Sequence, residues 1–275
     1  MKTVRLAALA LALLFVAHAL AGEAELAQAL IAAEAAGRPI PMLSKEYPDL
    51  GLEAAYAVQR AYVERRLEDD SIAGFKAGLT GRLGQLWFGV GEPLSGVLFA
   101  SGLGGDGALI DLARYRRLIV ETEIAFVAGA RIAAPVADVA ALRSLIRAVA
   151  PAIEMPEGGF AKPRDARGTD LVAANVSAAL FLVGSERPID AFALADIAVT
   201  LTVDGREVSA GEGSDVMGDP WKAALWLVNA TVRRGWTIEP GHLFSTGVIG
   251  ERVEGKPGRY VADFGVLGRI AFELR

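Results

Sequence analysis

The stretch Val120 to Gly129, VETEIAFVAG, admits few structural solutions. Its Val, Ile and Phe content predicts a β-strand, in which residues two apart share a face. Glu121 and Glu123 then project side by side, while Thr122, Ile124 and Phe126 take the other face. Two carboxylates on one face of an apolar strand repel each other and are costly to desolvate, unless a cation or proton sits between them. One reading is a solvated face of alternating acids, as half-exposed antiparallel strands often carry. The other brings in Glu154, the lone acid of the short apolar run Ala152 to Met155. Three carboxylates that leave coordination positions open suit Mg²⁺ or Mn²⁺, hard cations that keep oxygen ligands in the remaining sites.

The rest of the composition excludes several alternatives. At 275 residues the chain is long enough for one large domain with a substantial core. A net charge of −5 and the absence of a Lys/Arg run argue against a nucleic-acid surface. Cysteine is absent, which removes thiol nucleophiles, thiolate metal sites and disulfides. The two histidines are His18 and His242, too few for a His-rich metal site. Met1 to Ala21 reads as a secretory leader: Lys2 and Arg5 precede the apolar run Leu6 to Val16, and Ala19-Leu20-Ala21 forms a small-x-small cleavage site. The run is shorter than the ~20 apolar residues of a bilayer span. The expected mature protein is exported, periplasmic and without a stable membrane span; an uncleaved anchor is the rival reading.

From Glu23 to about Arg66 apolar residues recur at three- and four-residue steps, predicting a helical N-terminal region over residues 22–70. Residues 71–275 form the main body. Its short β-type runs are Phe75 to Leu79, Gly96 to Phe99, Leu118 to Val127, Ala173 to Val183, Val199 to Val203, Leu243 to Val248, Val261 to Phe264 and Arg269 to Leu274. Two helices are predicted among them, Val136 to Val149 and Pro220 to Arg234. Strands dominate without alternating regularly with helices, so the fold class is α+β with folded or barrel-like sheets. The glycines of Gly211 to Gly218 lack phosphate-loop or dinucleotide spacing and read as a turn or bulge. Pro240-Gly241 makes His242 a turn residue, and Trp221 and Trp226 suit core packing.

Eight stretches in order carry a resemblance over nearly the whole mature chain. After the helical region come GFKAGLT (Gly74 to Thr80), VETEIAFVAG, AIE (Ala152 to Glu154), DLVAANVS (Asp170 to Ser177), VMGDPWKAALWLVN (Val216 to Asn229), GHLFSTG (Gly241 to Gly247) and VADFGVLG (Val261 to Gly268). Together they resemble the 2-keto-4-pentenoate hydratase branch of the fumarylacetoacetate hydrolase superfamily. The resemblance implies that superfamily's mixed β-sandwich or roll and a homo-oligomer. It further implies one divalent metal, Mg²⁺ or Mn²⁺, on Glu121, Glu123 and Glu154, with Lys76 facing the substrate cavity as the catalytic lysine. Ser177 and Thr246 match substrate-binding hydroxyls, and Gly247 leaves room for close approach of substrate to backbone. The implied reaction is hydro-lyase chemistry on a small 2-oxo or 2-hydroxydienoic acid through a stabilised enolate. Decarboxylation of a 2-oxo acid would use the same enolate, and a non-catalytic exported binder of metal and oxo acid is a third possibility.

Three positions depart from the hydratase pattern. Leu94 and Ser95 stand where an Asp and an aromatic are expected, Ala174 replaces an acid before Asn175, and Met155 to Gly159 replaces a polar run containing an Arg. Asp170 is the acid whose placement decides whether acid-base capacity is recovered elsewhere. Superfamily C–C hydrolysis relies on a His–Glu pair, and His242 is poorly placed to supply it. For the leader, mass spectrometry of the chain from fractionated cells should find a mature N-terminus at Gly22; an intact Met1 would overturn export.

Overall fold

The computed structural model describes residues 22–191 and 193–275, and the expected leader, Met1 to Ala21, lies outside the described residues. Helical backbone covers residues 22–35 (α1), followed by α2 (Leu43–Glu46) and α3 (Leu52–Arg66). Further helices are α4 (Arg82–Phe88), α5 (Val139–Arg143), α6 (Gly168–Ala173) and α7 (Pro220–Arg233). No helix among the described residues is long and apolar enough to cross a membrane.

Two sheets form the α+β body. The larger contains β1 (Ile72–Gly78), β2 (Leu94–Phe99), β3 (Leu103–Gly105), β5 (Ile119–Ala128), β6 (Ile146–Met155), β7 (Leu180–Val183), β10 (Leu243–Ser245) and β11 (Ile249–Glu254). The smaller contains β4 (Ala108–Ile110), β8 (Ala198–Val203), β9 (Arg206–Glu212), β12 (Gly258–Asp263) and β13 (Arg269–Leu274). The larger runs in the order β2-β1-β10-β5-β6-β7-β3. One edge of β5 is shared by two partners: β10 pairs with its residues Ala125 to Val127, and β11 with Ile119 to Thr122. β5 is thus hydrogen-bonded on both sides, and all ten of its residues are buried.

The faces of β5 meet different surroundings. Val120, Ile124 and Phe126 join the large core, where Trp221 packs edge-on to Phe126 with ring centroids 4.7 Å apart. Helix α7 delivers that tryptophan; Pro220 starts it, and the Asp219 side chain accepts the Trp221 N–H at 2.9 Å. On the opposite face, Ala125 and Val127 join Leu98, Ala148, Ala152, Phe181 and Leu243 in a smaller apolar cluster. The acids share this second face. A strand covered on both sides has no solvated face, which removes the reading of Glu121 and Glu123 as a wet acidic stripe.

Two stretches fold differently from their sequence pattern. Only Val139–Arg143 of the expected helix Val136 to Val149 is helical, and Ile146 already opens β6. From Ala148 to Met155 both faces of β6 are buried, so no polar alternation distinguishes strand from helix. In Ala173 to Val183 only Leu180–Val183 is strand. The preceding residues end α6 and enter a tight turn in which Asn175, Val176 and Ser177 all have φ between 52° and 57°.

The helical region is tied to the body by polar contacts. Gln59 Nε2 donates to the Ser95 carbonyl at 2.9 Å, and the Ser95 N–H donates to the Tyr56 hydroxyl at 3.1 Å. Asp170, buried in α6, accepts the Ser44 N–H at 2.8 Å, the Ser44 hydroxyl at 2.6 Å and the Arg167 N–H at 2.8 Å. Its carboxylate therefore clamps α2 to α6. Asp170→Ala should destabilise the protein by about 2–4 kcal/mol through orphaned buried donors, read as a lower urea midpoint with unchanged slope. Unchanged stability would show that the clamp contributes nothing.

Candidate metal centre and acid-base site

Strand register builds the site. Glu121 on β5 lies directly across from Glu154 on β6, and Glu123 lies across from Ala152 on the same face. Residues 33 positions apart in sequence thereby become cross-strand neighbours, an arrangement that like charges make unfavourable. One carboxylate oxygen from each of Glu121, Glu123 and Glu154 falls within 4.8 Å of the others. Glu123 and Glu154 are fully buried, and Glu121 nearly so.

Each acid has one oxygen anchored to the protein. Glu123 Oε2 accepts the Gly247 N–H at 2.8 Å and the Ser245 hydroxyl. The Lys76 ammonium rests against Glu154 Oε1, and Arg252 Nε donates to Glu121 Oε1 at 2.6 Å. Glu123 Oε1 and Glu154 Oε2 are buried with no hydrogen-bond partner among the described residues. Converging carboxylates with oxygens left unpartnered are the hard donor set of a divalent-cation site, and the residues present fit such an ion. Burial, reinforced by the charges of Glu154 and Glu121, pushes Glu123 well above the ordinary carboxylate range. Burial raises Glu154 to about 7, against the lowering pull of Lys76.

Lys76 is brought in by β1, parallel to β10, with Lys76 in register with Ser245. Its ammonium also donates to the Val176 carbonyl at 3.1 Å. That carbonyl belongs to the left-handed turn, a conformation costing a β-branched residue ~1–3 kcal/mol. The Asn175 amide holds the turn in place by pairing with both the N–H and the carbonyl of Val97, each at 2.8 Å. The room comes from glycine. A Cβ at Gly78 would meet Val176 Cγ1 at 2.6 Å, and one at Gly96 would meet the Asn175 carbonyl at 2.8 Å.

The remaining expected residues fall as follows. Ser177 is buried in the same turn, its hydroxyl without a partner among the described residues. The Thr246 hydroxyl donates to the Ile124 carbonyl at 3.0 Å. Gly247 gives its N–H to Glu123, and the space a side chain would need there is taken by Thr80. Asp170 is spent on Ser44 and Arg167, away from the acids. His242 follows the turn, accepts the Glu239 N–H on Nδ1 at 3.1 Å and packs edge-on to Phe75, which alternates with Lys76 and so lies on the other face. Two site residues carried no sequence signal strong enough to single them out. Ser245 lay inside GHLFSTG two positions before Gly247, and Arg252 was one basic residue between Glu251 and Glu254.

The profile of the fumarylacetoacetate (FAA) hydrolase C-terminal family matches residues 87–268, about two thirds of the chain. The chain belongs to the fumarylacetoacetate hydrolase family. A 2-keto-4-pentenoate hydratase of Burkholderia vietnamiensis is 36% identical over 253 residues, covering 90% of this chain and 95% of the relative. One of Paraburkholderia phymatum is 35% identical over 244 residues, covering 86% and 92%. These relatives place the chain in the 2-keto-4-pentenoate hydratase branch of the family. Among solved structures, 4-oxalocrotonate decarboxylase from Pseudomonas putida G7, complexed with magnesium and adipate, superposes with a TM-score of 0.86 at 25% identity, covering 92% of this chain and 97% of that one. The same family member is also known complexed with calcium and acetate.

The raised carboxyls couple stability to pH. A carboxyl raised in the fold favours folding while protonated; its contribution is complete below its ordinary 4.5 and is lost as pH climbs through the folded value, about 7 for Glu154. Under chelator, Tm should therefore fall from pH 5 to pH 8. At pH 8, Mg²⁺ or Mn²⁺ at about 100 times its Kd should raise Tm by ~5–10 °C, and by less at pH 5. A Tm indifferent to the ion at every pH would remove the metal assignment.

Proposed function

We propose that this family member is a metal-dependent hydro-lyase that acts on a small 2-oxo or 2-hydroxydienoic acid, with Mg²⁺ or Mn²⁺ held by Glu121, Glu123 and Glu154. The observation that carries the reading is the buried convergence of those three acids beside Lys76, with carboxylate oxygens left over. A divalent ion held there supplies fixed positive charge where negative charge develops as a 2-oxo acid enolises.

The chain's own groups account for the rest. Lys76 Nζ, buried against the Glu154 carboxylate, is held where it would give and take the substrate's proton, while Glu154 orients the ammonium and stays with the metal. The Ser177 hydroxyl, buried and unpartnered among the described residues, offers a donor to a substrate oxygen. Ala125, Ala152 and Phe181 give the acids an apolar surround. Hydration of a dienol needs a proton moved from the enol oxygen to carbon, giving the unsaturated 2-oxo acid, and then water added across its double bond, the hydroxyl to the far carbon and the proton to the carbon beside the oxo group. Lys76 is the group placed to move those protons.

A second reading, decarboxylation of a 2-oxo acid, is favoured by the superposition on 4-oxalocrotonate decarboxylase. The same assay separates the two. Purified protein with Mg²⁺ or Mn²⁺ is offered a panel of dienols and 2-oxo acids, following absorbance loss and carbon dioxide release. Hydration without carbon dioxide supports the first reading. Lys76→Met should lower kcat by about 10²–10⁴-fold while keeping the metal-linked rise in Tm. Glu123→Ala should abolish both. Rates unchanged in Glu123→Ala would defeat the mechanism.

A further inference from the structure

Arg252 reaches the site through an irregularity in β11. Ile249 lies across from Thr122 and Val253 across from Val120, so four steps along β11 match two along β5. The surplus residues bulge, a device that re-aims side chains beside functional sites. Gly250, at φ 73°, begins the detour and gives its N–H to Asp215 at 3.0 Å. Arg252 leaves the bulge toward the acids, and its Nε meets Glu121 Oε1 at 2.6 Å. The arginine side chain is 52% exposed and that of Glu121 10%, so the guanidinium stands on the solvent side of the buried acid.

Only Nε is spent on Glu121; the terminal amino groups have no partner among the described residues. A guanidinium is a planar fork whose edges can serve two carboxylates at once, which an ammonium cannot do. Charge balance gives the free edge a use. With all groups ionised, three carboxylates face two cationic side chains, leaving one negative charge in surplus. A divalent ion reverses that to one positive charge, which a monoanion neutralises. Without Arg252 the loaded site would be neutral and would have no surplus charge with which to draw in an anion.

We propose that Arg252 is the anion-receiving residue of this site: its Nε orients Glu121 while its terminal amino groups take the carboxylate of the incoming oxo acid. The assignment rests on the oxo-acid reading above. It is a binding role, so it is tested by binding. Mn²⁺-loaded protein is titrated calorimetrically with pyruvate and with its uncharged methyl ester, and Mn²⁺ occupancy is followed by electron paramagnetic resonance. The native protein should prefer pyruvate. Arg252→Gln should retain Mn²⁺ and bind the ester as before, while its pyruvate affinity falls about 10–100-fold. Arg252→Lys, which keeps the charge and loses the fork, should fall between the two. Native pyruvate affinity in Arg252→Gln would overturn the assignment and leave the oxo-acid reading intact. Loss of Mn²⁺ together with both organic ligands would also overturn it, by showing that Arg252 serves only to hold Glu121. Failure of the Mn²⁺-loaded native protein to bind pyruvate would overturn the oxo-acid reading and this assignment with it.

Discussion

Like charge buried in the middle of a sheet is the constraint that the rest of the structure answers. Pairing Glu121 directly across from Glu154, with Glu123 one step along the same face, is the opposite of what strand pairing favours. The fold contains the repulsion with two cations from different sides: Lys76 against Glu154 from within, Arg252 against Glu121 from the solvent side. Ser245 and Gly247 fix one oxygen of Glu123. What they leave unmet is two orphan oxygens and two raised carboxyls. Under the proposed reading that residue of unfavourable energy is what a divalent ion would relieve, so that the frustration among the acids would become affinity for the ion.

Placing Lys76 takes as much structure as placing the acids. Its second contact is a carbonyl in a run of three non-glycine residues with left-handed backbone, a conformation that persists only when its surroundings over-determine it. Asn175 supplies one determinant by standing in as a strand partner for Val97. Gly78 and Gly96 supply another by leaving no side chain where the turn must lie. The glycine after Lys76 in GFKAGLT is therefore explained by packing: it admits the turn that accepts from the lysine. The strain stays at the site, and what it secures is a fixed ammonium beside Glu154.

The strand carrying Glu121 and Glu123 was legible because period-two spacing of acids among Val, Ile and Phe has few interpretations. The helical N-terminal region and α7 were legible from three- and four-residue spacing and, for α7, from Asp219-Pro220 at its start. Glu154 as the third acid was legible by its apolar setting, but its position across from Glu121 is a fact of register, which local pattern does not encode. The helix expected through Val149 failed because β6 is buried on both faces and so loses the polar alternation that marks a strand. Ala173 to Val183 misled for the opposite reason: its apolar residues cover a strained turn and not a strand. Arg252 was invisible because a bulge, and not strand alternation, aims it.

Two further titratable groups are occupied away from the acids. Asp170, the acid that would have broadened the acid-base repertoire, is consumed by three hydrogen bonds that join α2 to α6. His242 packs on Phe75 across the sheet, so the described residues place no imidazole beside the acids to activate water for C–C hydrolysis. Ala174 adds nothing titratable before Asn175. Beside the three acids the described residues then place Lys76 and Arg252 as the remaining ionisable side chains. Of these two, the buried ammonium held against Glu154 is the one the proposed enol–oxo chemistry calls on for proton transfer, while the half-exposed guanidinium stands where an incoming anion would meet it.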